Sequence, residues 1–192
     1  MSQSTLYKVR TTVIEMLTDR GYRMDPNINF EDFKIMYSQN NMDLQDKDSK
    51  IHIFFYNETK SLSKKDLEVY YNQATGDSAN PDIGILIIVR DKLNSIVNRE
   101  LDKELYHNIE IFTIDQLKIN ITKYNGIPKH IPLSAEQEAE MLARYGIVKN
   151  QIPKVRSSDP ICRYFHLKHG RIIRVIRNSP TSGEAVSYRC VI

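Results

Sequence analysis

The run of residues 83–89 constrains the fold most strongly, because it is apolar throughout and contains a single glycine, Gly84. A strand with one solvated face would alternate apolar and polar residues, so this run predicts a strand that is buried on both faces. A second compact run of β-forming residues spans 51–56. Helical patterns stand between and around these runs, so the N-terminal part is predicted to be an α/β layer.

Helix signals fill in the rest of this layer. Leu6, Val9, Val13 and Leu17 recur at helical spacing and predict a first helix from about Thr5 to Arg20, ended by Gly21. The remaining predicted elements are a short helix from Asn29 with Phe30, Phe33 and Met36 on one face, a helix from Ser63 through Tyr71, a helix over 95–105, a strand over 109–112 and a helical turn behind a Thr113–Gln116 capping box.

A domain boundary is predicted in the segment 123–128, which combines turn residues with a change in the sign of the charge. Residues 129–192 hold 11 Lys and Arg against 5 Asp and Glu, whereas residues 1–128 hold 16 against 19. The predicted domains are therefore 1–126 and 127–192.

The second domain is predicted to be small, α+β, and to end in a β-hairpin. Ser134 and Gln137 form a capping box for a helix that ends at Gly146. Further expected features are a buried helix stripe of Ala135, Ala139 and Leu142, a short helix from Asp159-Pro160 through about Leu167, and hairpin strands over 171–177 and 185–192 joined by a long loop.

Positive charge is concentrated between Lys149 and Arg177, where eight basic residues stand against one acid, Asp159. We expect one face of the C-terminal domain to attract an anionic partner, with nucleic acid and an acidic protein surface equally compatible with the charge.

The sequence favours an intracellular protein with reduced thiols. Its apolar runs are too short to cross a bilayer, and the polar start lacks the apolar region of a secretory signal. Cys162 and Cys190 both lie among apolar residues, which is typical of core thiols.

Two patterns resemble catalytic or metal chemistry without completing it. Cys162, His166 and His169 match no zinc spacing, so a core thiol with two surface histidines is favoured. Pro81-Asp82 opens the apolar strand as in some metal-dependent nucleases, but the following Glu/Asp-x-Lys element is missing. A nuclease remains an alternative, as does a free-standing nucleic-acid-binding protein. No cofactor, metal or small-molecule substrate is expected.

The C-terminal residues resemble a known family. They are Asp159-Pro160-x-x-Arg163-Tyr164-x-x-x-Lys168-x-Gly170, Ile176-Arg177-x-Ser179-x-Thr181-x-Gly183 and Tyr188-Arg189-x-Val191, together with Leu142-Ala143-Arg144-Tyr145. This signature is similar to that of the subunit shared by eukaryotic RNA polymerases I, II and III, and of the related archaeal polymerase subunit. The resemblance continues in Val9-Arg10, Asp19-Arg20-Gly21-Tyr22 and Phe30-Glu31-Asp32-Phe33-Lys34, in the domain that archaeal relatives lack.

The resemblance implies a non-catalytic polymerase subunit with an N-terminal α/β jaw domain and a C-terminal α+β assembly domain. It implies docking on the largest polymerase subunit, contact with other polymerase subunits, and non-specific approach to downstream duplex DNA, without a membrane. Nuclear localisation is implied for a cellular protein, and host cytoplasm or virion for a viral one. The implied partner-binding residues are Arg144, Tyr145, Asp159, Pro160, Arg163, Tyr164, Lys168, Gly170, Arg177, Ser179, Thr181, Gly183, Tyr188 and Arg189, and the DNA-proximal candidates are Arg90, Lys92 and Asn94.

Overall fold

A computed structural model describes residues 2–39, 41–56, 60–76, 83–91, 93–101, 103–179 and 183–192, with the side chain of Ser179 outside the description. The chain divides into two compact units, Met1–Ile119 and Asn120–Ile192. Both combine helices with a sheet, as the sequence predicts.

The first unit is built on a four-stranded sheet in the order β1-β2-β3-β4. Strands β2, β3 and β4 are parallel, and the short β1 adds an antiparallel edge to β2. The elements are α1 Gln3–Asp19, α2 Phe30–Ser38, β1 Leu44–Gln45, β2 Ile51–Tyr56, α3 Lys64–Thr75, β3 Gly84–Val89, α4 Ser95–Leu101, a 3-10 turn Glu104–Tyr106, β4 Ile109–Thr113 and α5 Ile114–Leu117.

Strand β3 is buried on both faces, as predicted. Its residues from Ile85 to Val89 are each at most 2% exposed. One face, which includes Ile85 and Ile87, packs in a core with Leu67 of α3 and Val97 of α4. The intervening residues of β3 point to the opposite face and are equally buried, which places the strand at the centre of the layer.

Helix α1 carries the predicted apolar stripe and begins two residues earlier than expected. The side chain of Ser2 accepts a hydrogen bond from the Thr5 amide, which caps the helix start. After the helix, Gly21 adopts a φ of +93°, a conformation that favours glycine. The preceding Arg20 reaches across to β4, where its guanidinium donates to both carboxylate oxygens of Glu110 at 2.8 and 3.0 Å.

The second unit contains a four-stranded sheet in the order β5-β7-β8-β6. Strand β7 pairs antiparallel with β5 and β8, and β6 pairs parallel with the end of β8. The elements are a 3-10 turn Ile121–Lys123, β5 Lys129–Pro132, α6 Ala135–Tyr145, a 3-10 turn Lys149–Gln151, β6 Lys154–Val155, α7 Pro160–Tyr164, β7 Ile172–Ser179 and β8 Gly183–Val191.

The predicted boundary after Gly126 falls inside this second unit. The buried Asn120 donates from its side-chain amide to the hydroxyl of Tyr164 at 3.2 Å. Ile121 and Ile127 pack against the cluster of Ile161, Ile173 and Val175. Residues 120–126 therefore contribute to the core of the C-terminal unit, which a change of charge sign along the chain cannot reveal.

The terminal hairpin is longer than expected. Its ladder continues until Ser179 lies opposite Gly183, so the strands take in residues that the sequence assigned to the loop. Helix α7, by contrast, ends at Tyr164 rather than near Leu167. Within the part of the chain that the structure describes, no helix has the length and apolar character of a membrane span.

Candidate functional site

The second sheet sorts the predicted partner-binding residues onto two opposite faces. In the β7–β8 ladder, Arg174 lies opposite Tyr188, and Ile173 lies opposite Arg189. Successive side chains on a strand point to opposite faces, so Arg174 and Tyr188 share one face and Arg177 and Arg189 share the other. The first is called the α6 face, because Met141 of helix α6 packs there with Ile172. The second is called the α7 face, because Ile161 of helix α7 packs there with Ile173.

This division corrects the expectation of a single basic face. Arg174 and Arg177 both come from the basic stretch of the sequence, yet their positions on β7 point them in opposite directions. Spacing along a strand, rather than proximity in sequence, decides which basic side chains can act on one partner surface.

Helix α6 is positioned by the signals that the sequence predicted. The hydroxyl of Ser134 accepts from the Gln137 amide at 3.3 Å, and the Gln137 side chain accepts from the Ser134 amide at 3.0 Å. Gly146 ends the helix in the left-handed conformation, with a φ of +61°. Both ends of the helix are thereby fixed over the sheet.

The predicted buried stripe of α6 is wrong, however. Ala135 and Ala139 are exposed and Leu142 is only partly buried, whereas Glu138 and Met141 are the buried residues of the helix. An acidic residue is rarely buried unless it is paired. Here it is paired, which the pattern of apolar residues could not show.

Glu138 accepts three hydrogen bonds beneath the helix. Its carboxylate accepts hydrogen bonds from Nζ of Lys149 at 2.7 Å, Nε of Arg171 at 2.8 Å and the backbone amide of Ile172 at 2.9 Å. Burial alone would raise the pKa of the Glu138 carboxyl, but these hydrogen bonds and the charge of Lys149 together lower it below its ordinary value. Sequence reasoning missed this residue; its position three residues before Met141 was the only available signal.

The far end of α6 and the sheet line an open pocket of about 190 Å³. It brings together three predicted partner-binding residues, Arg144, Tyr145 and Tyr188, with Arg174. The rings of Tyr145 and Tyr188 meet edge to face at 6.0 Å, and the Arg144 guanidinium lies 6.0 Å from the Tyr145 ring. The other lining residues are Leu133, Gln137, Glu140 and Met141.

On the α7 face, Asp159 and Pro160 build the start of a helix, as predicted. The Asp159 carboxylate accepts from the Ile161 amide at 2.9 Å, and Pro160 occupies the first helical turn. Arg163 is partly buried on this short helix, and the hydroxyl of the buried Tyr164 accepts a hydrogen bond from the side-chain amide of Asn120. These residues therefore shape the unit from within, whatever they contact outside it.

His130 on β5 connects the predicted charges of the α7 face. Burial lowers the pKa of His130, the Pro128 carbonyl and Asp159 raise it, and the positive charges of Arg177 and Arg189 lower it further. One carboxylate and two guanidinium groups are thus close enough to the His130 imidazole to influence its charge. No sequence pattern singles out His130, because its neighbours on this face come from distant parts of the chain.

The remaining C-terminal candidates lie at turns. Lys168 is exposed, and Gly170 has a φ of +81° while its carbonyl accepts from Nζ of Lys149 at 2.7 Å. Gly183 opens β8 with a φ of +70°. The side chain of Ser179 and the whole of Thr181 lie outside the described residues.

In the first unit, Arg90 is exposed directly after strand β3. The side-chain oxygen of Asn94 accepts a hydrogen bond from the Val97 amide at 2.9 Å, so Asn94 caps helix α4. Lys92 lies outside the described residues. Strands β2, β3 and β4 are parallel, so their carboxyl ends lie at the same end of the sheet, where α3, α4 and α5 begin. Arg90 follows β3 and therefore lies at this end of the sheet.

Neither the zinc pattern nor the nuclease pattern gains a site among the residues that the structure describes. Cys162 is buried while His166 and His169 are exposed, as expected for a core thiol and two surface histidines. Burial raises the pKa of the Cys162 thiol to about 11. Among described side chains, no three His, Cys, Asp or Glu residues are grouped to hold a metal ion. Asp82, the nuclease candidate, falls outside the described residues.

Two family models match the chain. One, described as RNA polymerase Rpb5, C-terminal domain, matches residues 119–191, and the other, RNA polymerase Rpb5, N-terminal domain, matches residues 1–76. The chain belongs to the RNA polymerase Rpb5 family.

Curated relatives of this Rpb5-family chain match it over almost its whole length. The Caenorhabditis elegans protein named DNA-directed RNA polymerases I, II, and III subunit RPABC1 is 28% identical, over 97% of this chain and 95% of its own. The protein of the same name from Dictyostelium discoideum is also 28% identical, over 97% of each chain. The Rpb5 C-terminal match begins at residue 119, next to the division between the two structural units.

Proposed function

We propose that this chain is a non-catalytic structural subunit of a multisubunit DNA-directed RNA polymerase. The observation that carries the proposal is the match to relatives named as the subunit shared by RNA polymerases I, II and III, which covers at least 95% of both chains. The N-terminal and C-terminal Rpb5 domain models also match in that order along the chain. A match of this extent favours a role shared with those relatives.

The C-terminal unit serves as the assembly domain and docks on the largest polymerase subunit. One feature of the sheet supports this role above all. Each face presents arginine side chains, Arg174 on the α6 face and Arg177 with Arg189 on the α7 face. Arginine forms planar, paired hydrogen bonds with carboxylates, so these side chains suit an acidic protein partner.

Asp159, Pro160, Gly170 and Gly183 support docking indirectly. They fix the start of α7 and two turns, and so hold the neighbouring side chains in place. Their polar or conformational character thus has a structural cause that requires no chemical turnover.

The N-terminal unit serves as a jaw domain near downstream duplex DNA. The exposed Arg90 lies at the carboxyl end of the parallel strands, where helix α3 begins. A positive side chain and the positive end of a helix dipole both favour phosphate oxygens. Contacts of this kind carry no sequence information. Asn94 is assigned to helix capping, so Arg90 is the better candidate for a phosphate contact. The expected location is the nucleus in a cell, or host cytoplasm or virion for a viral chain.

Affinity purification of the tagged full-length chain from its native cell tests the proposal. We expect the two largest polymerase subunits to be recovered with it, and the tagged chain to elute from gel filtration in a much larger assembly. Elution as a solitary chain would support a free-standing nucleic-acid-binding protein. Divalent-metal-dependent cleavage of DNA that is lost in Asp82→Ala would support a nuclease instead.

A further inference from the structure

We propose that the pocket between α6 and the second sheet receives an acidic side chain from another polymerase subunit, with Arg174 as the group that binds its carboxylate. The inference rests on the proposed function, because it names the chemistry that the partner brings to one part of the assembly domain.

Arg174 lines the pocket with its side chain. Its Nε atom is buried, and no hydrogen bond to it is found among the described residues. A buried donor without an acceptor is unfavourable relative to a satisfied one, and more so when the group is charged. A carboxylate that enters the pocket matches the planar geometry of a guanidinium group better than a neutral group does.

The walls of the pocket include aromatic and apolar side chains. Tyr145 and Tyr188 meet edge to face on one side, and Leu133 and Met141 contribute apolar surface. Tyr145 is 55% exposed, so the pocket is partly open to solvent, but its aromatic and apolar walls lower the local dielectric around an ion pair and so strengthen it. The volume of about 190 Å³ suits a side chain rather than a whole structural element.

The charged residues that line the pocket are Arg144, Arg174 and Glu140. The guanidinium of Arg144 lies 6.0 Å from the centre of the Tyr145 ring. Glu140 also lines the pocket but is exposed, and no hydrogen bond or ion pair connects it with Arg174 in the described structure. The C-terminal part of the chain carries more basic than acidic residues, which favours approach of an acidic segment.

The sheet surface next to the pocket carries apolar side chains. On the same sheet face, Ile176 lies opposite Val186, and Val186 is 45% exposed. A pocket with a charged anchor beside exposed apolar side chains is typical of the centre of a protein interface. A DNA phosphate would gain nothing from this apolar extension, so the geometry favours a protein.

The test uses the full-length tagged chain in its native cell. Arg174→Met removes the charge and keeps an unbranched side chain, and Arg156→Met is the matched control, since Arg156 is exposed and lies outside the pocket. We expect recovery of the largest polymerase subunit to fall at least about tenfold with Arg174→Met, which corresponds to about 1.4 kcal/mol. Recovery with Arg156→Met should match the wild type.

A photoreactive amino acid in place of Tyr145 identifies the occupant. We expect a crosslink to a polymerase subunit within a few residues of an Asp or Glu, and reversal of both charges, Arg174→Glu with that acid changed to Arg, should restore recovery. A crosslink to DNA, or to a protein segment without an acid, would overturn the inference. So would full recovery of Arg174→Met in a preparation whose wild type retains the polymerase subunits.

Failure of the proposed function gives a different result. In that case the wild-type chain itself recovers no polymerase subunits. Circular dichroism of purified Arg174→Met separates a loss of binding from a loss of folding, and an unfolded variant is replaced by Arg174→Lys, which retains charge but loses the paired hydrogen bonds. We expect recovery with Arg174→Lys to lie between that of the wild type and that of Arg174→Met, and recovery equal to the wild type would overturn the inference.

Discussion

The carboxylate of Glu138 accepts a hydrogen bond from Nε of Arg171 at 2.8 Å, and this contact ties helix α6 to the beginning of strand β7. The same carboxylate also accepts the Ile172 amide at 2.9 Å. A single buried acid thus completes the hydrogen bonding of a strand that the helix covers. The position of the pocket between the helix and the sheet depends on this link.

Glu138→Ala should lower the free energy of unfolding of the C-terminal unit by about 2–4 kcal/mol, because it leaves the buried Ile172 amide without its acceptor and removes the carboxylate partner of Lys149 and Arg171. Urea denaturation of the full-length chain, followed by hydrogen exchange of the β7 amides, measures the effect. Glu140→Ala on the same helix is the control and should change little. Equal effects of the two substitutions would show that Glu138 does not hold the helix in place.

The stability of the C-terminal unit should also depend on pH through Glu138. Its folded-state pKa is lowered from the ordinary value of 4.5. The unfolded state therefore binds more protons as the pH falls through this range, so the stabilising contribution is complete above about pH 5 and is lost progressively as the pH falls towards the folded-state pKa. Denaturation midpoints between pH 7 and pH 3 should show this loss in the wild type. A Glu138→Gln variant with an unchanged pH profile would contradict the assignment.

Asp159→Ala should destabilise the C-terminal unit by about 1 kcal/mol, because the Ile161 amide loses its cap. Asp159→Asn should retain most of the stability, since an asparagine side chain can accept the same hydrogen bond. Thermal denaturation checks both variants. If Asp159→Ala melts with the wild type, the cap makes no contribution to stability.

Arg20 and Glu110 should show a clear coupling energy in the first unit. The Arg20 side chain is 5% exposed and the Glu110 side chain is 21% exposed, and two hydrogen bonds join the guanidinium to the carboxylate. A double-mutant cycle with alanine should give a coupling of about 1–3 kcal/mol. The exposed pair Lys34–Glu31 is the control, with a coupling near zero. Comparable values for the two pairs would contradict the importance of burial.

Cys162 and Cys190 should resist thiol reagents in the native chain. Both are buried, and the pKa of Cys162 is raised to about 11, so little of its reactive thiolate is present at about pH 8. Disulfide-exchange reagents should label both thiols only after denaturation. Rapid labelling of either thiol in the folded chain would show that its surroundings open readily.

Local chemistry made most of the fold predictable. Continuous apolar character indicated that β3 is buried, and Ser134 with Gln137 indicated where α6 starts, because each signal acts within a few residues of the sequence. The length of the hairpin and the place of Asn120 depend on distant partners, which short-range patterns do not contain. For the same reason, the apolar pattern of α6 favoured Ala135 and Ala139 over Glu138.

The candidate site was less predictable than the fold. Resemblance grouped Arg144, Tyr145 and Tyr188 as partner-binding residues, and the structure places them around one pocket. Resemblance also assigned Arg177 to that group, although its side chain belongs to the opposite face. Charge summed along the sequence cannot separate faces, whereas the register of β7 against β8 does.

The separation of Arg174 from Arg177 bears on how the C-terminal unit would dissociate from a partner that binds both side chains. A flat surface can reach only one side of the β7–β8 ladder, so a neighbour that engages both arginines must surround the hairpin. A hairpin held from two sides leaves only after its neighbour opens, which makes release slow even when each contact is weak. Exchange of labelled free chain into an assembled complex would then be limited by that opening, and would not speed up as more free chain is added.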